Sequence, residues 1–404
     1  MKKCIAFFLA VLLTAVMLVL PAAAEVTVEE GYDYTRFADD GITLNVYNWG
    51  LYISDGTDDS MDVVKEFEEL TGIKVNYTTF DTNESLYSKL KSGGSEYDVI
   101  IPSDYMIGKM IREDMLEKLD YENIPNYAKI DDAYKSRSFD PENEYSVPYT
   151  WGLVGIVYNT TMVDDPVTSW TSLWDPRYSG QILMFNNSRD AYAIASKKLG
   201  LSLNPADADE VALATEELKA QKSLVQAYVM DEIFDKMEGG EAALAPYYAG
   251  DALVMIEDNP DLAFCIPAEG TNFFIDAMCI PKGCKNKEAA EMFINFMCET
   301  EIALANTEFI GYSSPHAEAA ALLPEELKNS PIMYPAPEVM ETTEIFEVLP
   351  EELAQLMDKQ WSDVRSYDES GSSRYMIPIM LVLTVGVIVL ILRHRAIKKF
   401  RDDY

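Results

Sequence analysis

Thr43-Leu44-Asn45-Val46-Tyr47, Ile73-Lys74-Val75-Asn76-Tyr77 and Asp98-Val99-Ile100-Ile101-Pro102 are three short apolar runs of strand character, and helical spacing fills the intervals between them. In the first interval Val63, Val64, Phe67 and Leu70 mark one face of a helix over Met61 to Leu70, which Thr71-Gly72 ends. In the second, Ser85 to Lys91 reads as a helix and Gly93-Gly94 breaks it. Strand, helix, strand, helix, strand predicts a mostly parallel α/β sheet. A second series begins at Trp151, with strands expected at Val154 to Tyr158, Gln181 to Phe185 and Ala243 to Pro246, and helices at Tyr192 to Leu199 and Ala206 to Gln221. Two α/β lobes with a ligand cleft between them are expected, because open sheets bind at the carboxyl ends of their strands.

The two ends of the 404-residue chain are of another kind. Lys2 and Lys3 precede an apolar stretch from Ile5 to Leu20, and Pro21-Ala22-Ala23-Ala24 supplies small residues before Glu25, so residues 1–24 are expected to be a signal peptide. Cys4 precedes the apolar region and is poorly placed for lipidation of a mature N-terminus. At the other end, residues 375–392 (Tyr375 to Leu392) carry no charge, and Arg393, Arg395, Lys398, Lys399 and Arg401 follow at once. That pattern predicts a transmembrane helix with its basic tail, residues 393–404, in the cytoplasm. Residues 366–374, rich in Ser, Asp and Gly, read as a tether before that anchor.

The chain has 32 Lys+Arg against 68 Asp+Glu, a formal net charge of −36. The two ends hold seven of the bases and two of the acids, which leaves 25 against 66 in the exported part, about −41. So acidic a surface repels phosphate backbones, and no nucleic-acid partner is expected. His316 and His394 are the only histidines, too few for a His-rich zinc site or a His-based triad. Cys265, Cys279, Cys284 and Cys298 permit disulfides in an oxidising compartment, but their spacing selects no pairing and no metal site. No cofactor is expected.

Aromatic residues with small or polar neighbours recur where strands are expected to end: Asn48-Trp49-Gly50-Leu51-Tyr52, Pro102-Ser103-Asp104-Tyr105, Tyr247-Tyr248-Ala249-Gly250-Asp251, Phe273-Phe274-Ile275-Asp276 and Ile310-Gly311-Tyr312. Ring faces attract alkylammonium groups by roughly 0.5 to 2 kcal/mol each, and nearby carboxylates fix the ends of a cation. Gathered together, these loops would form a box for an organic cation.

Val46-Tyr47-Asn48-Trp49, Tyr77 to Lys89, Tyr97 to Ser103, Val147-Pro148-Tyr149-Thr150-Trp151-Gly152 and Ile310-Gly311-Tyr312 together resemble the spermidine/putrescine-binding proteins of polyamine ABC importers, in colinear order over about residues 43–350. The resemblance implies an α/β, two-lobed type II periplasmic-binding-protein fold that closes on its ligand by a hinge. It places lobe 1 at residues 43–150 and 275–320 and lobe 2 at 151–274 and 321–365. It also implies a monomer that delivers a polyamine to permease subunits and their ATPase, while the signal peptide and the C-terminal anchor, which the family does not usually show, place it at the outer face of the cytoplasmic membrane. By the same resemblance, Trp49 and Tyr52 match cleft aromatics of the first loop, and Ser103 and Tyr105 match a contact pair. Tyr248 and Phe274 fall where the family has tryptophans, Asp190 falls where a Glu is expected and Asp276 where an Asp holds an ammonium, and Tyr312 matches a further wall. Asn187 stands in place of a carboxylate, Gly50 replaces a hydroxyl residue, and the last polar contact aligns near Glu347. Two carboxylates in place of three would suit a diamine better than a triamine.

Two other readings stay open. Adjacent Tyr247 and Tyr248 are also what a ferric-ion-binding protein would use as a phenolate pair. A secreted hydrolase with paired carboxylates is the other, although so many acids make some pair 5 to 9 Å apart unavoidable.

Overall fold

The computed structural model describes residues 26–93 and 96–367. The expected signal peptide (1–24), all of the tether beyond Tyr367, the transmembrane helix (375–392) and the basic tail (393–404) lie outside the described residues. Among the described residues, no helix is long and apolar enough to cross a membrane.

The opening series forms as its spacing predicts, β1 (Thr43–Trp49), α1 (Val63–Thr71), β2 (Lys74–Phe80), α2 (Asn83–Lys91), β3 (Val99–Ile100) and α3 (Asp104–Arg112). Asp62 caps α1 by accepting from the Lys65 N–H, and Gly72 closes it in the left-handed conformation at φ 74°. The buried face of α1 carries Val63 and Phe67, and the Phe67 ring meets Phe293 and Phe296 at 5.0 and 5.3 Å. β1 lies parallel to β2 and β3, with Val46 opposite both Tyr77 and Val99.

The sheet as a whole is mixed rather than mostly parallel. β4 (Ser146–Asn159), β5 (Ile182–Phe185), β6 (Val225–Val229), β7 (Leu244–Tyr248), β8 (Leu262–Cys265) and β9 (Phe273–Cys279) complete nine strands in the order β2-β1-β3-β9-β4-β7-β5-β6, with β8 on β4. β4 runs antiparallel to β9, β7 and β8, and β9 runs antiparallel to β3. Fourteen residues long, β4 pairs with β9 as far as Leu153 and with β7 from Val154. The expected lobe limits at 150/151 and 274/275 fall inside β4 and β9.

Only the second half of β4, Val154 to Tyr158, was expected as a strand, although Pro148, Gly152 and Gly155 all lie within β4. Pro148 sits at a register shift against β9, where a missing N–H is tolerated. Gly152 and Gly155 make room for rings. A Cβ at 152 would lie 2.8 Å from Phe274 Cζ, and one at 155 would lie 2.3 Å from Phe264 Cζ and 2.5 Å from the Cys265 carbonyl oxygen. Because that last neighbour is backbone, Gly155→Ala is expected to destabilise the fold by about 1–3 kcal/mol through overpacking. Thermal unfolding of the unliganded chain, with Tm lowered by several degrees, is the measurement.

The helices that support the site are α4 (Ser188–Lys198), α5 (Ala208–Gln221), α6 (Ile233–Glu238), α7 (Ala249–Asp258), α8 (Lys287–Met297) and α9 (Thr300–Ile310). The four described cysteines are free thiols, Cys279 and Cys298 buried. His316 is a buried cap: its Nδ1 accepts from the Ala319 N–H, which leaves Nε2–H to donate to the Cys298 carbonyl.

Candidate functional site

The ends of β1, β6 and β7, the N-termini of α2, α3 and α4, and the middle of β9 converge on one cavity of about 720 Å³, open solvent at its mouth included. Ten of the eleven expected residues line it: Trp49 and Tyr52 after β1, Ser103 and Tyr105 at α3, Asn187 and Asp190 at α4, Tyr248 ending β7, Phe274 and Asp276 in β9, and Tyr312 after α9. Phe274 and Asp276 were expected in a loop. They stand instead within a buried strand, which fixes their side chains more firmly than a loop would.

Each carboxylate is held by a phenol. Tyr52 Oη donates to Asp276 Oδ2 at 2.7 Å and accepts from Thr150 Oγ1 at 2.5 Å, and its backbone carbonyl takes the Tyr149 hydroxyl at 2.9 Å. Asp276 is 4% exposed, and its Oδ1 has no partner. Burial pushes its carboxyl up to about 6. Tyr248 Oη donates to Asp190 Oδ2 at 2.8 Å, and Asn187 Nδ2 donates to the same oxygen at 2.8 Å. Asn187 is the N-cap of α4, since its Oδ1 accepts from the Asp190 N–H. It therefore orients the neighbouring acid. Burial raises the Asp190 carboxyl as well.

The rings form a continuous wall. Tyr52 meets Tyr312 edge-on at 4.8 Å, Tyr312 lies 6.2 Å from Phe274, and Phe274 meets Tyr248 edge-on at 5.5 Å. On another side Tyr105 meets Phe346 at 5.6 Å. The Trp49 indole N–H is buried without a partner. Ser103 and Asn83 exchange two hydrogen bonds, at 3.0 and 3.1 Å, and the Ser103 backbone pairs antiparallel with that of Asp276 in β9.

Glu347 is not in the cavity. Its neighbour Phe346 turns inward, while Glu347 is exposed and only its backbone is engaged, by Asn204 and Arg189. The apolar ring takes the buried position and the charged side chain stays in water.

Four further acids line the cavity: Asp81, Glu84, Asp231 and Asp251. Glu84 accepts from the Tyr105 hydroxyl at 2.9 Å, Asp251 accepts from Tyr312 at 2.9 Å, and burial raises both, Asp251 to about 7. Among the described residues, no Lys, Arg or His lines the cavity. The count of two carboxylates that favoured a diamine is therefore too low. Asp251 was within reach of sequence reasoning, since it closes the Tyr247-to-Asp251 run. Glu84 stands just before the helix expected from Ser85, and nothing in the sequence marked it or Asp231.

The ferric reading is not favoured. Tyr247 is 2% exposed and stacks on Phe185 at 5.4 Å, the Tyr248 hydroxyl is taken by Asp190, and burial holds both phenols well above their ordinary range. Among the described residues, no group of three or more His, Cys, Asp or Glu side chains is disposed to hold a metal ion.

A cavity with aromatic walls and buried acids, set where strands of a mixed sheet end, has the make-up of a receptor for a small solute. The chain belongs to the bacterial extracellular solute-binding protein family, whose model matches residues 62–335. Within that family it is 37% identical over 309 residues to the spermidine/putrescine-binding periplasmic protein of Escherichia coli K12, covering 76% of this chain and 87% of that one. It is 30% identical over 348 residues to the putrescine-binding periplasmic protein SpuD of Pseudomonas aeruginosa, covering 81% and 93%. The solved spermidine/putrescine ABC transporter substrate-binding protein PotD from Streptococcus pneumoniae superposes with a TM-score of 0.69 at 38% identity, over 81% of this chain and 99% of that one. These relatives are binding proteins, not enzymes, which disfavours the hydrolase reading.

Proposed function

We propose that this chain is an extracytoplasmic polyamine-binding protein that captures its ligand between two lobes and hands it to the permease and ATPase of an ABC importer. The observation that carries the reading is the set of buried carboxylates inside an aromatic wall that holds six acids and, among the described residues, no Lys, Arg or His, with buried Arg189 outside the lining and near enough to act only on the Asp190 and Glu84 side. Buried charges are ordinarily paired. Here the partner must come from outside and be positive, and the rings suit a ligand with methylenes between its charges. Asp276 and Asp190 hold ammonium groups, while Tyr52, Tyr312, Phe274 and Tyr248 cover the hydrocarbon.

The lobes are residues 43–150 with 275–320, and 151–274 with 321–365, and β4 and β9 cross from one to the other. Micromolar affinity requires about −8 kcal/mol net, within reach of two charge-assisted contacts plus buried apolar area after ordering costs. The protein acts as a monomer at the outer face of the cytoplasmic membrane. Residues 375–392, uncharged and followed by basic residues, anchor it there.

A thermal-shift screen of the full chain against putrescine, spermidine, amino acids, sugars and Fe(III) tests the function. Polyamines are expected to raise Tm and the other classes to leave it unmoved. A shift confined to another class overturns the reading.

A further inference from the structure

Phe346 lines the cavity although it belongs to none of the strands and helices that build it. Its segment joins the sheet only at Glu344, which pairs with Asn272 just before β9. Beyond that point two side chains hold the backbone instead. Asn204 Nδ2 donates to the Ile345 carbonyl at 2.8 Å, and Asn204 Oδ1 accepts from the Glu347 N–H at 2.9 Å. Arg189 Nη2 donates to the Glu347 carbonyl at 3.0 Å and to Asn204 Oδ1 at 2.6 Å. The chain is thus gripped on both sides of Phe346. Arg189 also lies over the ring itself, with Cζ 4.3 Å from its centroid, and Tyr105 of α3 meets the same ring edge-on at 5.6 Å.

Arg189 is an odd residue to find behind a site for cations. It is 5% exposed, it does not line the cavity, and its Nε and Nη1 groups are buried without partners. Burying a guanidinium with idle donors is unfavourable, and its charge repels a cationic ligand. Its electrostatics oppose binding, so what it contributes is geometric. That geometry chooses between neighbours. Three hydrogen bonds to residues 345 and 347 leave Phe346 turned inward and the Glu347 carboxylate in water, and a slip of one residue would break all three and exchange the two side chains.

We propose that Asn204 and Arg189 are positioning residues for the cavity, setting the register of residues 345–347 so that the Phe346 ring, and not the Glu347 carboxylate, completes its wall. Neither touches the ligand. The inference rests on the polyamine reading and adds a part to its site.

Calorimetric titration of the full chain with spermidine and putrescine is the test, in the wild type, Asn204→Ala, Phe346→Ala, the double variant of these two, and Arg189→Met. Phe346→Ala is expected to weaken binding of the tighter amine about tenfold, the worth of one ring against an alkylammonium chain. Asn204→Ala should weaken it about fivefold by releasing the segment. With Phe346 already alanine, the same change should matter by less than about twofold, because a residue that acts through a ring then has nothing to act on. Arg189→Met should weaken binding several-fold although it removes a repelling charge. Additive effects of Asn204→Ala and Phe346→Ala, or wild-type affinity in either, overturn the inference for Asn204 and mark a residue that supports the fold in general. Unchanged or tighter binding by Arg189→Met overturns it for Arg189. The polyamine reading survives all of these results and fails only if wild type binds neither amine. Should Arg189→Met not fold, the Asn204 cycle decides alone, since Asn204 is only half-buried.

Discussion

Asp276→Asn is expected to weaken polyamine binding by two orders of magnitude or more while leaving the unliganded fold as stable as before, or more so. Breaking a buried charge pair by removing one partner is worth roughly 3–5 kcal/mol, which is about a hundredfold or greater in affinity. Asparagine keeps the shape and can still accept the Tyr52 hydroxyl at Oδ1, so the Tyr52–Thr150 chain survives. In the free protein the aspartate is the burden, with one oxygen unpartnered and burial opposing its charge. Removing that charge relieves desolvation. The two readouts therefore move independently: calorimetric affinity falls, and Tm without ligand holds or rises. Affinity within threefold of wild type would remove Asp276 from the site. Loss of affinity together with a large fall in Tm would show a structural residue instead.

Much of this site was legible because aromatic and acidic residues recur beside strand termini, a pattern that survives errors in the strands themselves. Trp49, Ser103 and Tyr248 flank strands as expected. Asp276 was found although its setting was misjudged. A carboxylate amid Phe273, Phe274 and Ile275 looks like a loop residue until β3 and β4 are seen to enclose that strand on both sides. The same blindness hid half of β4. A glycine that makes room for Phe274, as Gly152 does, cannot be told from one that breaks a strand, because the ring it accommodates lies more than a hundred residues away. Mixed topology was missed for a related reason. Helix–strand alternation reports parallel neighbours well, whereas the antiparallel return of β9 beside β4 has no local signature. Glu347 shows the limit at one-residue resolution. Phe346 and Glu347 share a segment, and only burial says which of them faces inward. Asp231 lies at the far extreme, since its carboxylate is placed against Gly50, where a Cβ would lie 2.9 Å from Oδ2.

Ligand binding and the stability of the empty protein are expected to respond to pH in opposite directions. In the folded chain, burial raises the carboxyls of Asp276 to about 6 and Asp251 to about 7, and raises those of Asp190 and Glu84 in the same direction. Fully buried Asp104, behind the cavity and within the influence of Asp276 and Arg189, rises to about 8. The unfolded chain titrates near the ordinary values, about 4. Between pH 4 and 7 the folded state thus binds more protons than the unfolded one, and its stability falls as pH rises through those folded-state values. For Asp276 alone, moving from 3.8 to about 6 is worth on the order of 3 kcal/mol, present below the unfolded value and lost above the folded one. An ammonium group, which stays charged throughout this range, binds only the ionised acids. Affinity therefore rises with pH over the same window, by up to about tenfold per pH unit for each proton displaced, and levels off above 7. Thermal unfolding from pH 5 to 8 should show the unliganded Tm declining while the increment produced by spermidine grows. At pH 6 the calorimetric enthalpy should also change with the ionisation enthalpy of the buffer, because protons leave as the amine enters. In Asp276→Asn the pH dependence of both quantities should be flatter. A liganded increment independent of pH would mean that the carboxylates are already ionised before the amine arrives, and then burial in this cavity could not be what makes the site select a cation.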